Sequence, residues 1–276
     1  MTRLLGCDFS SSPSSRKSIV LAWGAWRDKR LVLEGMQACT SLVAFEQALH
    51  TPGPWVGGFD LPFGLPRELV TTLKWPLSWK ACIDHFAALG REQIRATFKA
   101  FCDKRPVGGK FAHRATDIPA GSSPSMKWVN PPVAYMLHAG VPLMLQAGLD
   151  FPGLYAGDTQ RVALEAYPGC LVRRLIGSRS YKSDDRAKQT PERLIARKDI
   201  LQALVSGQVG VTLYLRPAQH DALVADASGD KLDAVLCMVQ AAMAQLRHAG
   251  GDTLYGLPPE MDALEGWIIG VKHCMD

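Results

Sequence analysis

Short apolar runs and helical periodicities alternate along this chain, and each change of period marks an element. Residues 3–8, 18–24 and 30–37 are runs of strand length, too short for stable helices. The polar turn Arg27-Asp28-Lys29 joins the last two, which predicts an antiparallel hairpin. Residues 41–49 predict a helix capped by Thr40 or Ser41, ended by Pro52-Gly53-Pro54. Residues 55–60 read as a fourth strand. Residues 66–104, rich in Trp and Phe, predict helix in two or three pieces. Gly, Pro and Ser then cluster over residues 105–130, predicting a long loop of the functional or mobile kind. Helix returns over 131–147, residues 161–167 alternate as a fifth strand, and Pro168 starts another helix. Further helices are predicted over 190–205, opening Thr190-Pro191-Glu192, and over 230–247, with a last short strand over 265–272.

Strands and helices interspersed in this order predict an α/β fold. The chain of 276 residues is long enough for one large domain carrying an insertion. Its 47% hydrophobic and 21% charged content is that of a globular protein with a proper core. No apolar run reaches the length of a membrane span, and the N-terminus enters a strand with no signal-peptide pattern. The seven cysteines are scattered and form no Cys-x-x-Cys pair. The expectation is a cytoplasmic protein with free thiols and no cysteine zinc site.

The net charge of +5 is unevenly spread. Residues 91–127 carry eight Lys/Arg against three acids, and residues 173–198 carry nine against three. Residues 199–276 carry four against ten acids. Basic segments in mid-chain fit a phosphate-rich partner such as nucleic acid, or simply a solvated basic surface.

Carboxylates occupy the informative positions. Asp8 ends the first strand and Asp60 the fourth. Each could be an Asx-turn residue; two neighbouring parallel strands would instead place both at one sheet edge, where open α/β sheets bind ligands. Asp230 and Asp233 lie three apart at the start of an apolar helical stretch, hence on one helix face. Asp230 suits an N-terminal cap. Asp233 lies deeper, where a carboxylate needs a partner or a metal. Mg²⁺ or Mn²⁺ would suit such oxygen ligands and could serve phosphodiester hydrolysis. Glu165 could join the metal or hydrogen-bond backbone at a strand–helix turn. Lys182 could touch substrate phosphate or be a solvated loop lysine. Arg114 and Asp117 could pair with each other or contact substrate. Trp75, Trp79 and Trp128 could stack bases or belong to the core. No phosphate-binding Gly-x-x-x-x-Gly-Lys-Ser/Thr, His-Glu-x-x-His or Gly-x-Ser-x-Gly motif occurs.

Six short motifs, in this order and spacing, resemble domain-of-unknown-function family 429, regarded as predicted nucleases of the ribonuclease H-like fold. They are Gly6-Cys7-Asp8, Phe59-Asp60-Leu-Pro-Phe-Gly-Leu-Pro66, Leu164-Glu165-Ala-Tyr-Pro168, Tyr181-Lys182, Asp230-Lys-Leu-Asp233-Ala and Glu265-Gly-Trp-Ile268. The resemblance covers nearly the whole chain. It implies a ribonuclease H-like mixed five-stranded sheet flanked by helices, similar to the Holliday-junction resolvase branch. By that likeness Asp8, Asp60, Asp230 and Asp233 bind metal. A large, mainly helical insertion over about residues 66–160, after the fourth strand, departs from the resolvases. The expected activity is metal-dependent nuclease action on nucleic acid. The alternatives are an ATP-dependent phosphotransferase of the related actin and sugar-kinase fold, with Asp8-Phe-Ser-Ser-Ser-Pro13 as its phosphate loop, and a non-catalytic nucleic-acid-binding protein.

Overall fold

Two strands that each run Gly-x-Asp at their ends lie side by side in the middle of the sheet. Strand β1 (Arg3–Asp8) pairs in parallel with β4 (Trp55–Asp60), setting Gly6 against Gly58 and Asp8 against Asp60. The structure is a computed structural model and describes residues 2–272. Strand β2 (Ile19–Arg27) runs antiparallel to β1 and to β3 (Arg30–Cys39). Asp28 and Lys29, both at positive φ (48° and 63°), make the tight hairpin turn between them. Beyond β4 the sheet continues through β6 (Asp158–Glu165), again parallel, and two-residue strands β5 (Leu149–Asp150) and β7 (Leu213–Tyr214) close its edges. The order is β5-β6-β4-β1-β2-β3-β7.

The fold is thus mixed α/β, with seven strands where five were expected. The two additions are too short to show any periodicity in sequence, and pairing with a neighbour is what defines them. The segment 265–272 is not a strand. Gly266 and Gly270 adopt left-handed φ values of 69° and 80°, which turn the chain; Glu265, Gly266 and Val271 donate to nearby turn carbonyls, and Ile269 alone of these bonds to a strand residue, at the Glu165 carbonyl. Pro217–Ala225 forms a helix that the sequence reading left unassigned, with proline in its first turn and the Gln219 side chain accepting from the Arg216 N–H.

Alternation along the strands divides the apolar residues between two faces. Leu4, Val56 and Leu164 join one core; Leu5, Cys7 and Phe59 join the other. Helices α1 (Leu42–Leu49), α3 (Trp79–Ala87), α4 (Arg91–Asp103) and α6 (Val133–Gln146) contribute to the second core. The short helices α2 (Arg67–Thr72) and α5 (Asp117–Ala120) complete the helices between β4 and β6, which alternate with loops over that stretch. Helices α7 (Pro168–Ile176), α8 (Pro191–Val205), α9 (Pro217–Ala225) and α10 (Asp230–Ala249) build the first core. Every residue of α10 from Leu232 to Ala242 is buried. At roughly 1.5–3 kcal/mol for each large apolar side chain removed from water, this helix is a principal source of the fold's stability.

Residues 105–130 are mostly loop, as expected, but they are fastened to the domain. Arg114 and Asp117 are 2% and 0% exposed, and the short helix α5 falls inside the segment. Trp79 is buried with its ring N–H on the Phe63 carbonyl, while Trp75 and Trp128 pack among Phe86, Phe98 and Phe111. Trp79 is thus a core residue, and Trp75 and Trp128 are part-buried and pack against the core.

Candidate metal centre

The acidic site begins with register. Because β1 and β4 pair in parallel with Asp8 opposite Asp60, both carboxylates leave the sheet at one edge. Helix α10 brings the third. Glycines two residues before each aspartate let it approach, since a Cβ on Gly6 would collide with the Ala234 carbonyl and one on Gly58 with that of Cys237. Helix backbone therefore rests directly on strand backbone, and Asp233, in the first turn, reaches the sheet edge. One carboxylate oxygen from each of Asp8, Asp60 and Asp233 lies within 4.8 Å of the others. Ligands on opposite sides of an ion with bonds of ~2.1 Å would stand about 4.2 Å apart. Small side-chain rotations close that difference.

Electrostatics show how costly the cluster is without a cation. Burial, reinforced by Asp233, holds Asp8 well above the usual carboxylate range. The same causes push Asp60 up to about 7. Asp233 is also raised by burial, against the opposing pull of Lys182. Lys182 Nζ and the Tyr181 hydroxyl both donate to Asp233. Burial alone would lower Lys182, but Asp233, Asp8 and Asp60 together raise it, so it stays charged. Tyr181 is raised by burial and by Asp233, so its hydroxyl keeps its proton and donates.

The Tyr181-Lys182 segment is itself held in place. Arg197, buried on α8, donates to the carbonyls of Tyr181 and Val224 at 2.7 and 2.8 Å. Gly229, at φ 82° before α10, leaves room for the Lys182 stem, which a Cβ there would meet at 2.7 Å. Tyr181, Arg197 and the two sheet glycines are the residues that sequence reasoning missed as parts of the site. The available signal was glycine at the same offset before both strand-end aspartates.

Other expected site residues lie elsewhere. Asp230 stands outside the converging set, its carboxylate bound by Lys17 at 2.7 Å; Lys17 also holds Asp184 at 3.0 Å. It lies in the first turn of α10 with an ion-pair partner, and the carboxylates that converge are three of the four aspartates singled out. Glu165 is taken up by the Arg114 guanidinium at 2.6 and 2.8 Å and by the Phe63 N–H at 2.9 Å. Of its two readings, the one observed is the backbone anchor at the strand end. Arg114 also binds Asp117 at 2.9 Å and the Glu265 carbonyl at 3.0 Å. Arg114 thus pairs with Asp117, one of the two readings the sequence offers, and with Glu165; Arg114 and Glu165 also form part of the wall of a cavity beside Asp60. The basic segments are likewise partly spoken for: Lys99, Arg105, Arg179 and Lys188 each have a carboxylate partner.

Three oxygen donors brought together at one sheet edge could hold a metal ion. The cysteines of the described residues are free thiols, and none joins the cluster. No helix among the described residues is long and apolar enough to cross a membrane. Compared with protein-family models, curated proteins and solved structures, the chain finds no match.

Proposed function

We propose that the protein is a divalent-metal-dependent phosphodiesterase acting on nucleic acid, with the central strands β3-β2-β1-β4-β6 serving as a ribonuclease H-like core. The observation that carries this reading is the convergence of Asp8, Asp60 and Asp233 within 4.8 Å at one sheet edge. Asp8 and Asp60 would hold a Mg²⁺ or Mn²⁺ ion, and Asp233 would complete its protein ligands. The ion would supply Lewis-acid polarisation of a phosphoryl oxygen and lower the pKa of its bound water. Lys182, part-exposed beside Asp233, would neutralise charge on the phosphate. Tyr181 would fix the rotamer of Asp233 by donating to one of its oxygens.

The test is a screen of single strands, hairpins, RNA–DNA hybrids and four-way junctions with Mn²⁺ or Mg²⁺, using Asp8→Asn as control. Wild type should cleave at least one substrate, and the variant should lose at least ~100-fold in turnover, about 2.7 kcal/mol of transition-state stabilisation. Equal residual activity in both proteins marks a contaminant. No cleavage together with no Mn²⁺ binding by calorimetry would remove the enzyme reading. A thermal shift with ATP–Mg²⁺ but none with Mn²⁺ alone would favour phosphotransfer.

A further inference from the structure

Beside the acidic cluster lies a cavity of about 230 Å³ that shares two walls with it, Asp60 and Lys182. Most of its other lining is apolar, with the buried Arg114–Glu165 ion pair as its one further charged patch. Leu61 and Pro62 follow Asp60 directly, Val133 and Met136 come from the first turns of α6, and Tyr167 closes a side. The volume is below the ~300–1,000 Å³ of clefts that enclose drug-sized ligands. It is the scale of a single ring system. Tyr167 is braced: the Arg173 guanidinium lies 5.5 Å from its ring centroid, and Gly169 packs so closely that a Cβ there would meet the ring at 2.8 Å. The hydroxyls of Ser122 and Ser123 line the same cavity and add polar groups to a mainly apolar wall.

A phosphate ester held at the carboxylates and Lys182 would therefore have an apolar, aromatic-walled cavity next to it. Free inorganic phosphate or a sugar phosphate would leave that cavity to water. A base paired and stacked within a duplex could not enter it. We infer that the cavity receives one unpaired nucleobase adjacent to the phosphate bound at the acidic site, so that the protein acts on nucleotides whose base is free of the stack. This rests on the phosphodiesterase reading for its phosphate position. Its own content is the base pocket. Enzymes that must reach a base pay unstacking energy, which is least for single-stranded or mismatched positions. Stacking on an aromatic side chain returns ~1–3 kcal/mol per base without reading sequence.

The experiment titrates full-length protein in Mn²⁺ with adenosine 5′-monophosphate, uridine 5′-monophosphate and ribose 5-phosphate by calorimetry. Both nucleotides should bind at least ~5-fold tighter than the sugar phosphate, the lower end of the stacking range. Met136→Trp fills the cavity from a part-exposed helix position. It should bring nucleotide affinity down to that of ribose 5-phosphate and leave the latter unchanged, with its thermal midpoint confirming that it folds. A second arm compares cleavage of a single strand, the same strand fully paired, and strands with one abasic position moved stepwise along the chain. Cleavage should fall at least ~5-fold when the abasic position reaches the pocket, and the duplex should be the poorest substrate. Nucleotides and ribose 5-phosphate binding alike, no binding of either, or abasic strands cut as well as intact ones at every step would each overturn the pocket. The last of these would leave the phosphodiesterase reading standing. Base-dependent binding with no strand cleaved would do the reverse, keeping the pocket and removing the hydrolase.

Discussion

Gly6 on β1 lies directly beneath Ala234 on α10, so close that a methyl group in place of the glycine hydrogen would strike the Ala234 carbonyl oxygen. Gly58 on β4 stands in the same relation to Cys237. Asp8 and Asp60 follow two residues later on the same face of each strand, because side-chain direction repeats every second residue. Asp233 precedes Ala234. The spacing of the carboxylates is thus set by contact between backbones, which are less compliant than packed side chains.

Replacing Gly6 by Ala should lift α10 from the sheet. A Cβ there would also stand 2.8 Å from the Met238 Cβ, so relief requires the helix to move. Overpacking of this kind costs about 1–3 kcal/mol. The site should suffer more than the fold. We expect the thermal shift produced by Mn²⁺ to shrink markedly in Gly6→Ala while unfolding stays cooperative. Gly35→Ala, where nothing lies within 4 Å, should keep the full Mn²⁺ shift. An undiminished shift in Gly6→Ala would show that helix height does not set the ligand geometry.

The three aspartates should differ in the metal-free protein. Asp60→Asn removes a charge that burial and Asp233 disfavour, so its thermal midpoint should hold or rise. Asp233→Asn also weakens the partner of Lys182 and Tyr181, and should lower stability by about 1–3 kcal/mol. Both should abolish the stabilisation by Mn²⁺, which for wild type at a hundred times Kd is about 2.7 kcal/mol. Denaturant titrations with and without Mn²⁺ read all of these. Identical metal-free behaviour of the two variants would mean that the Lys182–Asp233 pair contributes nothing.

The pH dependence follows from Asp60. Its carboxyl is raised from 3.8 to about 7. Between those values the folded protein holds a proton that the unfolded chain has lost. This group's contribution therefore grows as pH falls from about 7, is complete below 3.8, and is absent above 7. In metal-free protein, the stability of wild type relative to Asp60→Asn should rise as pH is lowered through that window. Metal binding requires the ionised form, so Mn²⁺ affinity should move the other way, increasing up to about pH 7 and levelling above it. A flat affinity profile from pH 5 to 8 would remove these carboxylates from the ligand set.

How much of this was legible in the sequence depends on the range of the interaction. Strands β1 and β4 and the long helix α10 were readable because their patterns are local and strong. The convergence of Asp8, Asp60 and Asp233 followed from treating two strand ends as neighbours, which their parallel register bears out. Strands β5 and β7 were invisible because two residues have no period and exist only through a partner. The Lys17 partner of Asp230 was not readable because it is more than two hundred residues away in sequence. The pairing of Arg114 with Asp117, three residues away, was readable and is found; its second partner, Glu165, is far along the chain and is brought to it only by the fold.

Arg114 supplies the last test. Its guanidinium binds Glu165 with two nitrogens and Asp117 besides, all buried, and joins the loop after α4 to the end of β6. Arg114→Met preserves much of the volume but leaves two carboxylates buried without their cation. Breaking a buried pair in this way costs about 3–5 kcal/mol, a large share of the ~5–15 kcal/mol that holds a domain together. Arg114→Lys should rescue little, since an ammonium cannot reproduce the forked contact. Glu165 is already raised by burial even with Arg114 beside it, so without it the carboxyl should rise further. The variant should then regain stability relative to wild type as pH falls and its stranded acids protonate. A substrate-contacting arginine would behave differently, with stability unchanged and binding lost. Urea denaturation of wild type and Arg114→Met at pH 5 and pH 8 distinguishes the two: a stability gap that is wide at pH 8 and narrower at pH 5 establishes the strut, and no gap at either pH would restore Arg114 to the substrate.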